Sequence, residues 1–126
     1  MPVGLVRAVF VLSGLYDGLL GLAFFIAPAT VFRLAGVTPP THFGYVQFPA
    51  LLLFVFGIMF FRIAANPLAR REQIPYGMAL KASYFGMGFW YQFHGGVPKL
   101  WVPWAYADVM FFLLFAWAWK SIPRTV

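Results

Sequence analysis

Three ionisable side chains lie inside long runs of apolar residues. Asp17 lies twelve positions after Leu5, which places it about 18 Å along a helix that begins there. Lys81 and Asp108 lie five and six positions into two later apolar runs. An ionised group at such a depth is costly unless it is paired, neutralised or turned toward a cavity. We therefore expect either a buried site that binds a proton, a cation or the polar end of a lipophilic molecule, or a structural Asp–Lys pair.

Contact between Asp17 and Lys81 within one subunit is a specific expectation. About 10 Å of axial separation must be spanned by the lysine stem, a helix tilt or a water molecule. Two carboxyls at similar depth, Asp17 and Asp108, provide an alternative pairing that shares one proton. Neutral polar groups in the same helices are expected to turn inward, although interhelical hydrogen bonding explains them equally well. The candidate ligand-binding or ion-coupling residues are Asp17, Lys81, Asp108, Tyr16, Tyr84 and Gln47.

Residue types that support catalysis or metal binding are sparse. The chain has no cysteine, and its two histidines, His42 and His94, lie on separate segments without a short ligand spacing. Neither a phosphate-cradling glycine loop nor a nucleophile motif is present. We therefore expect no catalytic residue, no metal, no cofactor and no enzymatic activity.

The elements that carry these residues are predicted from hydropathy. Hydrophobic residues make up 63% of the 126 residues and charged residues 10%, where a soluble domain has roughly 45–50% and about 25%. Four apolar segments each have the length that crosses a hydrocarbon core of ~30 Å. Backbone groups in lipid must be bonded within the segment, so these segments are predicted to be helices. The sequence thus predicts one all-α domain over residues 1–126, a four-helix transmembrane bundle with helices at about 5–27, 45–63, 76–94 and 102–119.

Proline and glycine mark the helix ends. Pro28 ends the first helix or restarts it as a short interfacial helix through Arg33, and Pro39-Pro40 stops that piece. Pro49 lies inside the second helix, where we expect a kink. In the first helix, Gly14 and Gly18 have the small-xxx-small spacing that lets another backbone approach closely, in this chain or in a second subunit.

The distribution of basic residues predicts orientation. Six basic residues fall on the side that holds both termini, and two, Arg33 and Lys99, on the opposite side. By the positive-inside rule, both termini are expected in the cytoplasm and the chain in a cell inner membrane. The six are Arg7, Arg62, Arg70, Arg71, Lys120 and Arg124. Tryptophans are expected at both interfaces, Trp101 and Trp104 outside and Trp117 and Trp119 inside. Because the basic residues form no stripe among polar contact residues, nucleic acid is not an expected partner.

Two families share parts of this pattern. The layout resembles the DoxX-like four-helix membrane proteins in Gly18 to Gly21, the following proline, the run Gly57 to Ala65 (GIMFFRIAA) and Asp108 near the start of the last helix. That resemblance implies the fold more than an activity, since some members are linked to quinone-coupled sulfur oxidation and most are uncharacterised. A carboxylate in the first of four short helices is also similar to the small multidrug resistance transporters, which have Glu where this chain has Asp17.

The function expected from these features is non-enzymatic. Sixteen Phe and six Tyr surround a few ionisable groups, which is typical of an apolar pocket with sparse polar anchors. We expect a protein that binds a lipophilic small molecule, such as a quinone or a lipid, or an accessory subunit of a larger membrane complex. The alternative is a small dimeric transporter that couples protons or cations through Asp17. A lipid bilayer and a second copy or a larger complex are the expected partners.

Overall fold

The fold is entirely helical over residues 1–123, the part of the chain that the computed structural model describes. Arg124, counted above among the basic residues, lies outside the described residues. Five α-helices follow in order: α1 Val3–Ile26, α2 Pro28–Ala35, α3 Gly44–Ala65, α4 Ile74–Phe93 and α5 Val102–Ser121. Two short 3-10 helices, Arg71–Gln73 and Lys99–Trp101, precede α4 and α5. The four long helices coincide with the four predicted ones to within two residues at every end. The predicted all-α class is confirmed for this part of the chain.

The short helix α2 is the restart that Pro28 permits. Proline at a first helical position removes no intrahelical hydrogen bond, because the first N–H groups of a helix have no partner within it. The helix ends at Gly36, which adopts the left-handed conformation with φ of 68°. That glycine, rather than Pro39-Pro40, therefore stops the segment.

The bundle consists of two tightly packed pairs, α1 with α3 and α4 with α5, whereas α3 and α4 scarcely touch. Glycines explain the closeness of the first pair. A Cβ at Gly14 would lie 3.1 Å from the Gly57 carbonyl oxygen, and a Cβ at Gly21 would lie 2.5 Å from that of Ala50. The small-residue face of α1 is thus occupied by α3 of the same chain. The sequence left the partner of this face open, and the complementary small residues prove to be on α3, such as Gly57.

One end of the bundle, here called the termini end, holds the N-terminus, the turn before α4 and the end of α5. The N-terminal amine donates to Ser121 Oγ at 3.0 Å, and Arg71 Nε donates to the Ile122 carbonyl at 2.8 Å. The half of the bundle next to this end, the packed half, is filled with buried apolar side chains. They include Val6, Val9, Phe10, Phe60, Ile63, Ile74, Phe111 and Phe115.

The opposite end, here called the α2 end, is closed by a smaller cluster. Phe24 of α1 stacks on Trp101 with ring centroids 5.6 Å apart, and Phe32 of α2 lies 5.9 Å from the same ring. Trp101 therefore points into the bundle, as does the half-buried Trp104. Both rings pack against aromatic rings of other helices, and their place at the outer membrane interface stays a prediction.

Three of the long helices, α1, α3 and a stretch from Lys99 through α5, are long and apolar enough to cross a membrane. Among the described residues α4 does not meet the same measure, although it was predicted as a fourth span. It has 20 residues, about 30 Å of helix, but Lys81, Ser83, Gln92 and several tyrosines and glycines lower its hydropathy. The chain is therefore compatible with a transmembrane protein of at least three apolar spans.

Candidate ligand-binding site

The three charged residues singled out in the sequence meet at one point in the bundle. Lys81 Nζ of α4 lies 2.7 Å from Asp17 Oδ2 of α1 and 3.2 Å from Asp108 Oδ1 of α5. The expected Asp17–Lys81 contact is direct and needs no bridging water. It coexists with the contact to Asp108, so the lysine bridges the two acids.

Aromatic rings enclose the ammonium group. Its nitrogen lies 5.1 Å from the ring centroid of Tyr16, 5.0 Å from that of Phe111 and 5.6 Å from that of Phe60. Gly77, one turn before Lys81, leaves the space that Phe60 fills, since a Cβ there would lie 2.6 Å from that ring. Ring faces attract cations, so this cage adds to the stabilisation that the carboxylates provide.

The charges of this cluster do not balance when all three groups are ionised. Two carboxylates and one ammonium leave a formal surplus of one negative charge, and two of the chain's three acidic residues contribute to it. A surplus charge in apolar surroundings is costly unless a proton or another group compensates it. The arrangement therefore suits an additional proton, cation or hydrogen-bond donor beside the carboxylates.

A cavity of about 440 Å³ lies directly beside the cluster, on the side of the α2 end. Its wall is overwhelmingly apolar, and both Asp17 and Asp108 contribute to it. The other lining residues are Tyr16, Leu20, Phe24, Tyr45, Val46, Pro49, Ala50, Leu52, Leu53, Leu80, Ser83, Tyr84, Met87, Trp101 and Trp104. We call the region around this cavity the hollow half.

The mouth of the cavity lies between α3 and α4. Its exposed lining residues are Tyr45, Pro49 and Leu52 of α3 with Ser83 and Met87 of α4. In contrast, the lining residues of α1 and α5 are buried or half-buried and form the floor. Because α2 and Trp101 close the end of the bundle, the cavity opens sideways.

The two carboxyls differ in how far they face the cavity. The side chain of Asp108 is 9% exposed, that of Asp17 2% and that of Lys81 0%. Asp108 also makes the longer of the two contacts with Lys81. Asp17 is therefore the main partner of the lysine, and Asp108 is the more exposed of the two carboxyls that line the cavity.

Apart from Tyr45, which is exposed at the mouth, four neutral polar residues of the cavity lining are either hydrogen-bonded or have buried polar atoms. Tyr84 Oη donates to the Trp101 carbonyl at 2.9 Å, and Ser83 Oγ donates to the Ala79 carbonyl at 2.7 Å. Tyr16 Oη and Trp104 Nε1 are buried without a hydrogen-bond partner. At the inner wall, the carboxylate of Asp108 is therefore the more accessible of the two charged groups.

Not all of the predicted site residues belong to this site. Tyr16 and Tyr84 line the cavity, but the Gln47 side chain turns away from it and donates to the Phe25 carbonyl at 3.0 Å. Gln47 is thus placed near the end of α1, outside the cavity lining, and its role in a site stays a prediction. Both histidines also make local contacts: His42 Nδ1 accepts from the Gly44 N–H, and His94 stacks on Trp90.

Sequence reasoning missed the residues that form the mouth. Leu52, Ser83 and Met87 have side chains that are ordinary on a lipid-facing helix surface, so nothing in the pattern distinguishes them. Trp104 carried a signal, its closeness to Asp108 on the same helix, but was interpreted as an interface anchor. A position four residues before Asp108 lies on the same helix face, which the spacing alone indicates.

Comparison with known proteins adds no assignment to this geometry. The chain matches no protein-family model, no curated protein and no solved structure.

Proposed function

We propose that the chain is an integral membrane protein that crosses a lipid bilayer four times, with α4 as the least apolar span. The modest hydropathy of α4 is consistent with this proposal because its cation is fully buried and paired. Its Ser83 hydroxyl is bonded to the preceding turn, which removes much of the cost of a polar group in lipid. We further propose the DoxX-like layout, in an inner membrane with both termini cytoplasmic.

Single-cysteine labelling tests the fourth span, since the natural chain has no cysteine to remove. Ala69 lies between α3 and α4, and Lys99 lies between α4 and α5; both are exposed. If α4 crosses the membrane, A69C and K99C react with a membrane-impermeant maleimide from opposite faces. Reaction of both from the same face would contradict four spans. T41C, between α2 and α3, is the control and should react from the same face as K99C.

The proposed function is the non-enzymatic binding of a lipophilic small molecule, such as a quinone or a lipid. A single observation carries it: the apolar cavity of about 440 Å³ that opens sideways and has a carboxylate at its inner wall. Small-molecule sites typically have volumes of roughly 300–1,000 Å³ and few polar groups. A molecule dissolved in the bilayer could enter between α3 and α4 without passing through water. The same binding would serve an accessory subunit of a larger membrane complex.

Two adjacent leucines of α3 provide a matched test. Leu51 and Leu52 are 42% and 43% exposed, but only Leu52 lines the cavity. We expect native mass spectrometry after mild detergent extraction to show a co-purified lipophile on the wild-type protein and on L51W. In L52W the indole should obstruct the mouth and remove that lipophile.

Recovery of the wild-type protein with neither lipophile nor partner would contradict the proposal. Equal retention of the lipophile by L51W and L52W would place its binding elsewhere. The thermal unfolding of both variants should be measured alongside, since a similar midpoint shows that the bundle is intact.

A second candidate function is proton- or cation-coupled transport through Asp17, favoured by the surplus carboxylate beside the cavity. Alternating access would require a second opening toward the termini end. In the packed half, Phe10 and Phe60 lie between the cluster and that end, so transport requires a rearrangement. Flux into proteoliposomes that depends on pH and is lost in D17N would support this candidate, whereas unchanged flux would exclude Asp17 from it.

A further inference from the structure

We propose that Asp108 selects the ligand, and that the ligand is a lipophile whose polar end donates a hydrogen bond: a hydroxyl or an amine. This inference rests on the proposed function, since it concerns the same cavity. It narrows the ligand from lipophiles in general to those with a donor, and it assigns different roles to the two carboxylates.

The geometry separates the two carboxylates. Asp17 is 2% exposed and makes the shorter contact with Lys81, 2.7 Å, which marks it as the permanent counter-ion. Asp108 makes the longer contact, 3.2 Å, and is the more exposed. Among the hydrogen bonds of the described residues, each carboxylate uses one oxygen, Oδ2 in Asp17 and Oδ1 in Asp108. Because Asp108 is the more exposed of the two, its Oδ2 is the free acceptor that a group entering the cavity can reach more readily.

The chemistry of the lining favours a donor in the ligand. An ionised carboxylate can only accept hydrogen bonds, and each of its oxygens has two lone pairs. Lys81 is fully buried behind the carboxylates, so its N–H groups are not offered to the cavity. An ester, an ether or a quinone carbonyl would bring its oxygen lone pairs against the carboxylate. A hydroxyl or an amine would instead place a proton there and form a charge-assisted bond.

The shape of the cavity is suited to the remainder of such a molecule. Leu20, Phe24 and Val46 line it between Asp108 and the α2 end, and Leu52 and Met87 lie at the lateral mouth. A hydrocarbon chain can therefore contact apolar walls while its end group meets Asp108 and its tail leaves toward the lipid. The donor lies at the inner wall, and the tail lies in the bilayer plane.

Binding of four matched probes tests this proposal. The probes are 1-tetradecanol and its methyl ether, which lacks the donor, and tetradecylamine and its trimethylammonium analogue, a cation without a donor. Each probe carries a bromine on the chain close to its polar end, which the proposal places inside the cavity, and binding is followed by quenching of tryptophan fluorescence in nanodiscs of zwitterionic lipid. Trp101 and Trp104 line the cavity, whereas Trp90 and Trp117 are exposed, so the protein carries W90F and W117F.

We expect each donor probe to bind about tenfold more tightly than its donor-free analogue, which is the factor that a charge-assisted hydrogen bond typically provides. In D108N this preference should fall to less than about threefold, because the surplus charge is lost and the amide is a weaker acceptor. D108E keeps the carboxylate and should keep the preference. Comparing each probe between wild type and variant cancels differences in lipid partitioning.

The binding strength of the alcohol relative to that of the amine identifies the class of lipid that supplies the donor. Tighter binding of the alcohol indicates a hydroxyl lipid, and tighter binding of the amine indicates an amino lipid. Equal binding of alcohol and ether, together with equal binding of amine and trimethylammonium, would overturn this inference and leave the proposed function standing. If no probe binds the wild-type protein, the proposed function fails as well. Should D108N not fold, the wild-type probe series and D108E still decide the question.

Discussion

The packed half and the hollow half of the bundle are built from the same four long helices, yet only one of them has a filled interior. In the packed half, Phe10 stacks on Phe115 at 4.5 Å, and Phe60 lies 5.1 Å from Phe115. In the hollow half, α3 and α4 leave a cavity of about 440 Å³. The charged cluster marks the boundary. The comparison shows that aromatic residues in a helix do not by themselves fill the space between that helix and its neighbours.

Glycines on both sides of the boundary explain part of this difference. Gly77 of α4 lets the ring of Phe60 pack against the helix backbone in the packed half. Beyond Lys81, Gly86 has nothing within 4 Å of the Cβ position and Gly88 touches only Ala105 of α5. No side chain of α3 therefore packs against these two glycines of α4, and the space between the two helices stays open.

Removal of the cation at the boundary should have the largest effect. In K81M, Asp17 and Asp108 lose their shared partner, so we expect the free energy of unfolding to fall by about 3–5 kcal/mol. D17N alone should also destabilise the protein, and the double variant D17N/K81M should recover part of the loss, because the lysine and its closest partner are removed together. Thermal or denaturant unfolding in detergent micelles measures all three.

A strictly additive double variant would refute the pairing of Asp17 with Lys81 as an energetic unit. K99M removes an exposed lysine near the α2 end and is the control. Its unfolding midpoint should stay close to that of the wild type.

Truncation of one aromatic ring should have a smaller effect on stability, and that effect should differ between the packed half and the hollow half. Phe115 is fully buried between Phe10 and Phe60, so F115A opens a void in the packed half. We expect a loss of about 3 kcal/mol, the low end for Phe→Ala changes, because in lipid the loss reflects packing more than transfer from water. L52A, at the mouth of the hollow half, should cost less than about 1 kcal/mol. Similar losses in both variants would remove the distinction between the halves.

The seam between α1 and α3 should tolerate a methyl group at one glycine and not at another. In G21A the new Cβ would lie 2.5 Å from the Ala50 carbonyl and 3.0 Å from the Phe54 nitrogen, both backbone atoms. We expect a loss of about 2 kcal/mol from this overpacking. Gly18 has nothing within 4 Å of the same position, so G18A should leave the melting temperature unchanged or slightly raised. A loss in G18A equal to that in G21A would contradict this packing of α1 against α3.

The smallest effect is expected at the termini end. Arg71 donates to the Ile122 carbonyl and lies 4.7 Å over the Trp119 ring, so R71Q should cost about 1.5 kcal/mol. R62Q, which replaces an exposed arginine in the last turn of α3, should cost less. Equal midpoints for the two variants would show that the Arg71 contacts contribute nothing to the packed half.

The sequence by itself determined which segments are helical and which side chains are costly to bury. Runs of apolar residues bounded by Pro28, Pro75 and Gly95-Gly96 leave little freedom in where the helices lie, because local hydrogen bonding and proline geometry decide it. The three charged residues were recognisable for the same local reason: each interrupts an apolar run. The spacing of Gly14 and Gly18 likewise indicated that another helix packs closely against α1, but it did not indicate which helix.

Only the tertiary structure decided which helices meet and which stay apart. Helical periodicity assigns residues to a face and leaves the partner of that face open, so the glycines of α1 were free to meet α3 or the helix of Lys81. Because α1 packs against α3, it is Lys81 of α4 that joins the two helix pairs through its contact with Asp17. Asp108 of α5 contacts the same lysine nitrogen. It also left the gap at Leu52, Ser83 and Met87, whose side chains suit lipid and a ligand equally well. A cavity depends on side chains that fail to meet across helices, and no single segment of sequence contains that information.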